Sequence, residues 1–270
     1  MAIRLVAMDL DDTLLRDDWT ISSRVIRAIQ EAQAQGVKMT IATGRMSISA
    51  RPYVEQLGLD VPVITYHGAM IQHVLSGDIL FRKVIPSAVA AEIIRYVLER
   101  GVYAQVYLKN RVITTELNKW SREYARIASV TFETEDLLSL LSREPEGVEK
   151  ILLMAEEVEL DRLAPLLRQH YGEKVHITKS KPCFLEMTDC SVNKGVALAA
   201  LAERLGIAQA DVMAIGDSFN DLEMIKYAGL GVAMGNARAE IKEQADIVTV
   251  TNEEDGVAEA IERYVLDKIV

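Results

Sequence analysis

The sequence predicts an α/β protein built on a doubly wound parallel sheet, with an α+β segment inserted into it. Residues 3–8 form an almost continuous apolar run, typical of a strand that is buried on both faces of a parallel sheet. Strand and helix patterns then alternate with short connections, as such a sheet requires. The alternation stops near residue 82 and resumes near residue 189. We therefore expect a core unit made of residues 1–82 and 189–270, and an inserted unit made of residues 83–188.

The first part of the core unit is expected to alternate strands with helices. The strand at residues 3–8 leads to a helix over residues 22–35, with Ser22 or Ser23 as its N-cap. Gly36 ends this helix, because glycine readily adopts the left-handed backbone conformation that closes a helix. The later elements predicted before the insertion are a strand over 37–42, a helix over 47–57, a strand over 63–66 and a hairpin over 70–84.

The inserted unit has a less regular pattern. Pro86 is expected to open a helix that runs to residue 100, and residues 109–150 are polar and acidic, so that no element is assigned there. The other predicted elements of this unit are an alternating strand over 102–108, a strand over 149–155, a helix over 160–171 and strands over 174–178 and 183–187. After residue 189 we expect helices over 193–205, up to 227, over 237–244 and from 255 onward, and strands over 212–215, 230–234 and 246–250.

The composition excludes several classes of protein. Half of the 270 residues are hydrophobic, so the chain can bury a core of ordinary size. The net charge of −10 argues against a protein that binds the phosphate backbone of nucleic acids. No apolar run is long enough to cross a membrane, no leader is recognisable, and Cys183 and Cys190 match neither a disulfide framework nor a metal motif. We expect a cytoplasmic monomer or homodimer without nucleic-acid or membrane partners.

Reactive side chains follow three of the predicted parallel strands. They are Asp9 and Asp11 after the first strand, Thr43 and Gly44 after the second, and Asp217, Asn220 and Asp221 after the strand at residues 212–215. In an open α/β sheet, ligands bind outside the carboxyl ends of the strands. The sequence therefore predicts that these side chains meet at one edge of the sheet.

Several carboxylates at one edge repel each other unless a cation is present or one of them stays protonated. Alone, Asp9 and Asp11 are equally consistent with an acidic turn after a strand. The additional acidic residues favour a hard divalent cation, and Mg²⁺ is the usual choice beside a phosphate. The Thr43 hydroxyl, the Gly44 N–H and the charge of Lys194 near a helix start are suited to phosphate oxygens.

Four motifs follow one another in a set order. They are D-x-D-x-T-L at residues 9–14, the strand-end Thr43, the helix-opening Lys194 and G-D-x-x-N-D at residues 216–221. Together they resemble the haloacid dehalogenase (HAD) superfamily of phosphohydrolases, specifically the Cof-type hydrolases with a large α/β cap. The resemblance covers residues 1–80 and 189–270. It implies a Rossmann-like core and an inserted unit that acts as a cap and selects the substrate.

The resemblance also implies a role for each motif residue. Asp9 would be the nucleophile that forms an aspartyl-phosphate, and Asp11 the general acid and then the general base. Mg²⁺ would be bound by the carboxylates of Asp9 and Asp217 and by the main-chain carbonyl of Asp11, with Asp221 acting through water or from behind the ligands. The groups implied to hold the phosphoryl oxygens are the side chains of Thr43, Lys194 and Asn220 and the backbone N–H groups of Leu10 and Gly44.

Three further residues have alternative interpretations. His67 stands where relatives often have Asn, and a structural hydrogen bond is favoured over a substrate contact. Arg45 either contacts substrate or pairs with a nearby acid, and the pair is favoured. Glu186 faces either the substrate or solvent.

Two other signals are interpreted as structural. The glycines of residues 229–235 bracket a predicted strand, unlike those of a dinucleotide-binding loop. His170 and His176 lack acidic partners at zinc-ligand spacing, which favours surface positions.

The expected function is Mg²⁺-dependent hydrolysis of a small phosphorylated metabolite, either a sugar phosphate or a phosphorylated cofactor. A phosphomutase of the same superfamily is the nearest alternative, but an insertion after the second motif favours a hydrolase. A non-catalytic phosphometabolite-binding protein is disfavoured, because Asp9 and Asp11 are both present.

Overall fold

The computed structural model describes residues 2–267. The strands are β1 (Leu5–Met8), β2 (Lys38–Ile41), β3 (Val63–Thr65), β4 (Met70–Gln72), β5 (Ile79–Arg82), β6 (Tyr103–Leu108), β7 (Arg111–Thr114), β8 (Phe132–Thr134), β9 (Lys150–Met154), β10 (Val175–Lys181), β11 (Phe184–Asp189), β12 (Val212–Gly216), β13 (Leu230–Ala233) and β14 (Ile247–Val248). The α-helices are α1 (Ser23–Ala34), α2 (Ser47–Leu57), α3 (Ser87–Leu98), α4 (Lys119–Ala128), α5 (Leu137–Arg143), α6 (Glu157–Tyr171), α7 (Lys194–Arg204), α8 (Leu222–Tyr227), α9 (Ala239–Lys242) and α10 (Gly256–Tyr264).

A parallel sheet with the strand order β14-β13-β12-β1-β2 carries the core unit. The central strand β1 is buried at every position. Val6 and Met8 pack with α1 and α10 on one face, whereas Leu5 and Ala7 pack with α7 on the other. A parallel bridge from Ala42 to β3 extends this sheet beyond β2. The predicted doubly wound α/β fold is confirmed.

A second sheet with the order β10-β11-β9-β6-β7-β8 is built between β5 and α7. Helices α3, α5 and α6 cover one of its faces with an apolar layer. Its other face lies over the parallel sheet, where side chains such as Tyr107 and Phe184 pack with α4 and with Tyr66 and Met70 of the core unit. The chain enters this second sheet after β5, a strand of a small antiparallel sheet with the order β3-β4-β5, and leaves it after β11. The assignment of residues 83–188 as a separate domain stays a prediction.

The polar stretch at residues 109–150 contains β7, α4, β8 and α5, none of which the sequence pattern assigns. These elements are short, and side-chain caps define the two helices. Asn118 accepts hydrogen bonds from the N–H groups of Trp120 and Ser121, and Asp136 accepts one from Ser139. The polar and acidic residues between their few apolar positions obscure the hydrophobic period of these elements.

Strand β6 differs from its prediction, because it is buried throughout instead of alternating. Its polar residue Gln105 accepts a hydrogen bond from the Tyr103 hydroxyl and donates one to Tyr107. Burial of this amide is tolerated because both its polar ends are paired.

Other boundaries differ by a few residues, and caps explain two of them. The Ser22 side chain accepts the Val25 N–H at 3.1 Å, so that Ser22 and not Ser23 caps α1. Gly36 closes this helix at φ +87°. Strand β14 is shorter than predicted and lies at the edge of the sheet, with a partner on one side only. Helix α10 ends at Tyr264, and the predicted continuation over residues 268–270 lies outside the described residues. Within residues 2–267, no helix combines the length and the apolar character that a membrane crossing needs.

Candidate active site

The carboxyl ends of β1, β2 and β12 meet at a cavity of about 60 Å³ beneath the second sheet. From the core unit it is lined by Asp9, Asp11, Asp12, Gly44, Arg45, His67, Asp217, Ser218 and Asn220. From the inserted unit it is lined by Tyr124, Ile127, Ala128, Lys150, Ser180, Lys181, Phe184 and Glu186. The predicted convergence at one sheet edge is therefore present.

Asp9 follows directly after β1, and its position is fixed from both sides. Its backbone N–H donates to the carbonyl of Ile215 at 2.9 Å, which continues the β1–β12 ladder to the edge of the sheet. The next residues form a tight turn in which Asp12 has a left-handed conformation, at φ 59°. From this turn the Thr13 hydroxyl donates to Asp217 at 2.8 Å. The turn thus ties the first motif to the fourth.

Lys194 is fully buried at the first turn of α7, whose N-cap is Asn193. Its ammonium group donates to Asp9 Oδ1 at 2.5 Å and to Asp221 Oδ1 at 2.6 Å. Burial acts to lower the pKa of Lys194, but the charges of Asp221 and Asp9 outweigh it and raise the pKa above its ordinary value. One buried cation therefore serves two buried carboxylates.

Asp9, Asp217 and Asp221 form an acidic cluster, with ligand atoms within 4.8 Å of one another. Burial, followed by the charge of Asp221, raises the pKa of Asp9 to about 8 although Lys194 opposes the shift. Burial, followed by the charges of Asp221 and Asp9, raises the pKa of Asp217 well above its ordinary value. Such repulsion is what a hard divalent cation relieves. The cluster contains two of the predicted metal ligands, Asp9 and Asp217, and adds Asp221.

The side chain of Asp11 points away from this cluster and pairs with Arg45. The guanidinium donates twice, from Nε to Oδ2 at 2.9 Å and from Nη2 to Oδ1 at 2.6 Å. The rings of Trp19 and Tyr53 lie 5.4 Å and 5.5 Å from the guanidinium carbon. Burial acts to raise the pKa of Asp11, but the hydrogen bonds and charge of Arg45 outweigh it and lower the pKa. The favoured interpretation of Arg45, pairing with an acid, is confirmed.

Some of the predicted phosphate-binding residues line the cavity, and others are buried behind them. Gly44 and Asn220 line the cavity, whereas Leu10, Thr43 and Lys194 are buried behind its wall. The Thr43 hydroxyl oxygen accepts the backbone N–H of Arg45 at 3.0 Å, and its own proton stays available. Their roles toward phosphate stay predictions.

Glu186 faces the cavity and not the solvent, with 4 % of its surface exposed. Its carboxylate accepts hydrogen bonds from Lys150 and Ser180, and the His67 ring lies beside it. Burial acts to raise the pKa of Glu186, but the interactions with His67 and Lys150 outweigh it and lower the pKa. This settles the orientation that the sequence leaves open.

Lys150 is the main residue that sequence reasoning missed. It is 2 % exposed, and its Nζ reaches the carbonyl of Gly44 at 2.7 Å and lies 4.4 Å from the centre of the Tyr107 ring. Lysine is almost never fully buried unless it is paired. Its position at the start of the apolar strand β9 is the signal that could have identified it.

The structural interpretation of the glycines agrees with the structure, whereas the surface position favoured for the two histidines holds for His170 only, because His176 is half-buried. Gly229 and Gly235 lie on either side of strand β13. His170 is exposed, with Nδ1 2.7 Å from the carbonyl oxygen of Leu166. Within residues 2–267, the acidic cluster at the sheet edge contains neither His170 nor His176.

Comparison with known proteins identifies the family. A sequence model of the haloacid dehalogenase-like hydrolases matches residues 6–261. The chain belongs to this family. It is 36 % identical over 268 residues to the 5-amino-6-(5-phospho-D-ribitylamino)uracil phosphatase YcsE of Bacillus subtilis, covering 98 % of this chain and 96 % of the relative. It is 32 % identical over 238 residues to the HMP-PP phosphatase of Cronobacter sakazakii, covering 88 % and 86 %.

A solved structure supports the same assignment. A haloacid dehalogenase-like hydrolase from Bacteroides thetaiotaomicron superposes with a TM-score of 0.86 at 31 % identity, covering 97 % of this chain and 99 % of that one. The resemblance based on the four motifs is thereby confirmed, and with it the assignment of this HAD-like hydrolase as a phosphatase.

Proposed function

We propose that this hydrolase is an Mg²⁺-dependent phosphatase that acts on a small phosphorylated metabolite through an aspartyl-phosphate intermediate. The arrangement around Asp9 carries the proposal: its carboxylate ends the central strand, is held by a buried lysine, and belongs to a cluster of three acids. The two phosphatase relatives are named for phosphorylated small molecules, which supports a sugar phosphate or a phosphorylated cofactor as the substrate class.

The donor set of the acidic cluster fits Mg²⁺. Three carboxylates share one site, and the raised pKa values of Asp9 and Asp217 mark an excess of negative charge. We expect the carboxylates of these two residues and the main-chain carbonyl of Asp11 to hold the ion, with Asp221 behind them. Bound there, Mg²⁺ would neutralise charge on the phosphoryl oxygens during transfer.

The chemistry divides into two displacements at phosphorus. An ionised oxygen of Asp9 attacks phosphorus and the bond to the leaving alcohol breaks, while Asp11 protonates that alcohol. Water then attacks the aspartyl-phosphate, Asp11 takes the proton of the water, and Asp9 is released with inorganic phosphate. Asp11 must be protonated for the first displacement, whereas Arg45 lowers its pKa. We therefore expect the contact between them to loosen when the leaving group enters the cavity.

The remaining groups hold the phosphoryl oxygens. We propose that the Lys194 ammonium, the Thr43 hydroxyl, the Asn220 amide and the backbone N–H groups of Leu10 and Gly44 serve this role. Most of the catalysis of phosphoryl transfer comes from positioning the phosphoryl group and from compensating the negative charge on its oxygens.

We propose that the inserted unit covers the site, excludes water and contacts the rest of the substrate. Three contacts join it to the core unit around the cavity: Lys150 to the Gly44 carbonyl, Ser49 to the Ala128 carbonyl at 2.6 Å, and Lys181 to Asp12 at 3.4 Å. Together these contacts hold the inserted unit over the cavity.

The test is a phosphate-release assay with purified protein, Mg²⁺, para-nitrophenyl phosphate and a hexose 1-phosphate. We expect free phosphate from both and none in excess EDTA. Asp9→Asn keeps the shape of the side chain and removes the attacking oxygen, so it should be folded and inactive. Isomerised hexose phosphate without phosphate release would identify a mutase, and tight binding of the sugar phosphate without turnover would identify a binding protein.

A further inference from the structure

His67 lies in a strained turn immediately after β3. Both Tyr66 and His67 have left-handed backbone conformations, at φ 50° and φ 54°, which bulky residues rarely adopt. The turn is held in place by the second motif, because the N–H groups of Tyr66 and His67 donate to the carbonyls of Arg45 and Thr43, each at 3.0 Å. Strain of this kind persists where surrounding contacts over-determine the backbone, as they often do at functional sites.

The turn presses the imidazole ring of His67 against Gly44. A Cβ atom on Gly44 would lie 2.1 Å from Cε1 and 2.2 Å from Nε2 of this ring, so only glycine fits there. The ring is 98 % buried by the same packing, since 2 % of the residue is exposed. His67 therefore has little freedom to rotate.

The two nitrogens of the ring face opposite sides of the site. Nδ1 lies 3.2 Å from the amide nitrogen of Asn220, and Nε2 lies 3.0 Å from Oε2 of Glu186 on the inserted unit. In the tautomer that carries its proton on Nε2, facing Glu186, Nδ1 accepts a hydrogen bond from the Asn220 amide. Asn220 is buried, and its amide oxygen has no hydrogen-bond partner among the described residues. His67 is thus the residue that orients this amide.

The Glu186 side of the arrangement is also fixed. Lys150 and Ser180 both donate to its carboxylate, and Lys150 returns to the core unit at the Gly44 carbonyl. The contacts form a closed loop that runs from Gly44 through Lys150 and Glu186 to His67, whose ring packs on Gly44 again. Two residues of the inserted unit therefore help to hold a ring that orients Asn220.

We propose that His67 is a positioning residue that aims the Asn220 amide at the transferring phosphoryl group, and that Glu186 of the inserted unit keeps the ring in register. This inference rests on the proposed phosphatase function. With one amide hydrogen engaged by His67, Asn220 has its other hydrogen available for a phosphoryl oxygen. Contact with Glu186 makes this orientation depend on how the inserted unit is seated.

Two amide side chains can each imitate one nitrogen of the His67 ring. His67→Asn places an amide near the position of Nδ1 and can keep the bond to Asn220, whereas His67→Gln places one near Nε2 and can keep only the contact with Glu186. We expect His67→Ala to lower kcat for para-nitrophenyl phosphate about tenfold to a hundredfold, with a smaller change in KM, because the phosphoryl donor is displaced. His67→Asn should recover most of kcat and His67→Gln little of it.

A double-mutant cycle decides whether His67 acts through Asn220. The double variant His67→Ala/Asn220→Ala should be no slower than Asn220→Ala alone. If the kcat losses of the two single variants multiply in the double variant, the proposal is overturned. It is also overturned if His67→Gln recovers as much kcat as His67→Asn. His170→Ala, on the exposed face of α6, is the matched control and should leave kcat unchanged. Thermal unfolding of each variant identifies any that fail to fold, and His67→Gln then replaces His67→Ala in the cycle.

A second measurement needs no turnover. The side-chain ¹⁵N amide resonance of Asn220 should shift in His67→Gln and stay near its wild-type position in His67→Asn. An unchanged resonance in His67→Gln would show that the bond is absent and would overturn the inference. A wild-type protein that releases no phosphate from any probe would contradict the proposed function instead, whatever the resonance shows.

Discussion

At the scale of single residues, charge decides the arrangement of the site. Lys194 is the buried cation of the acidic cluster, and Arg45 pairs separately with Asp11. The two carboxylates that the sequence places two residues apart therefore differ in environment. Asp9 has a raised pKa and Asp11 a lowered one. Environments that separate the pKa values of neighbouring acids are typical of sites in which the two have different tasks.

Loss of Lys194 should impair catalysis strongly. Lys194→Ala removes the charge that balances Asp9 and Asp221, and we expect transition-state stabilisation to fall by ~2–4 kcal/mol, as for other preorganised electrostatic groups. Steady-state kcat/KM measures this. Lys226→Ala, an exposed lysine on α8, is the control. An effect within error of wild type would show that Lys194 does not act on the phosphoryl group.

Loss of the Arg45 charge should move the pH profile. Arg45 lowers the pKa of Asp11, so Arg45→Gln should raise that pKa toward and above its ordinary value. If Asp11 acts as the base of the second displacement, the acidic limb of kcat against pH shifts to higher pH. Arg51→Gln, on the following helix α2, removes an exposed arginine that pairs with Glu55 and should leave the profile in place. If the acidic limb of kcat against pH does not move in Arg45→Gln, the assignment of Asp11 as the base is contradicted.

The sequence predicts these residues to different extents. Asp9, Asp217 and Lys194 stand in motifs, and the parallel sheet brings motif residues to one edge whatever lies between them. Lys150 and Glu186 lie in no motif. Their pairing depends on which strands of the inserted unit are neighbours and on which face they present to the cavity. Neither property follows from local pattern.

At the scale of elements, caps and a hydrophobic period mark the helices that the sequence predicts. Helices α1 and α7 show such a period, and polar caps mark their starts at Ser22 and Asn193. Helix α4 is almost as long, and its apolar residues Tyr124, Ile127 and Ala128 recur at helical spacing. The polar and acidic stretch around it hides this pattern, although the helix supplies one wall of the cavity.

The strands β9 and β11 place a buried ion pair at the contact between the two units. Glu186 has a lowered pKa, so its contribution to stability is complete above the ordinary pKa of 4.5 and is lost as the pH falls through the lower folded value. We expect the free energy of unfolding to decrease below about pH 4.5 in the wild type. Glu186→Gln should be less stable by ~3–5 kcal/mol at pH 7, because Lys150 loses its charged partner.

Urea unfolding between pH 3 and pH 7 checks this expectation. The difference between wild type and Glu186→Gln should shrink as the pH falls below 4.5, because Glu186 then takes up a proton in the unfolded chain while it stays ionised in the folded one. Glu133→Gln removes the partner of an exposed arginine and serves as the control, with little effect at either pH. A difference that is independent of pH would mean that the Glu186 carboxylate is not the source of the stability.

At the scale of the whole molecule, residues far apart in the chain form one site. The parallel sheet supplies the nucleophile and the acidic cluster, while the inserted unit supplies the opposite wall. The sequence predicts the doubly wound sheet and the place of the insertion because both depend on patterns that extend over many residues. The internal strand order of the inserted sheet depends on long-range pairing, which the single sequence does not reveal.

Binding of Mg²⁺ should stabilise the whole fold. The acidic cluster is strained by its own repulsion, so an ion that binds only the folded chain raises the free energy of unfolding by about 2.7 kcal/mol at a hundred times its Kd. Thermal unfolding with and without MgCl₂ should show an increase in Tm. Asp217→Asn removes one ligand and should reduce this increase, and NaCl of equal ionic strength should not reproduce it. An identical response in Asp217→Asn would place the ion elsewhere.

Two connections join the second sheet to the core unit, one after Arg82 and one after Asp189. A unit tethered at a single point can swing in any direction, whereas one tethered at two points is expected to turn mainly about the line that joins them. We therefore expect Lys150, Lys181 and Glu186 to approach and leave the phosphoryl site together. One movement would then govern both the entry of substrate and the exit of product.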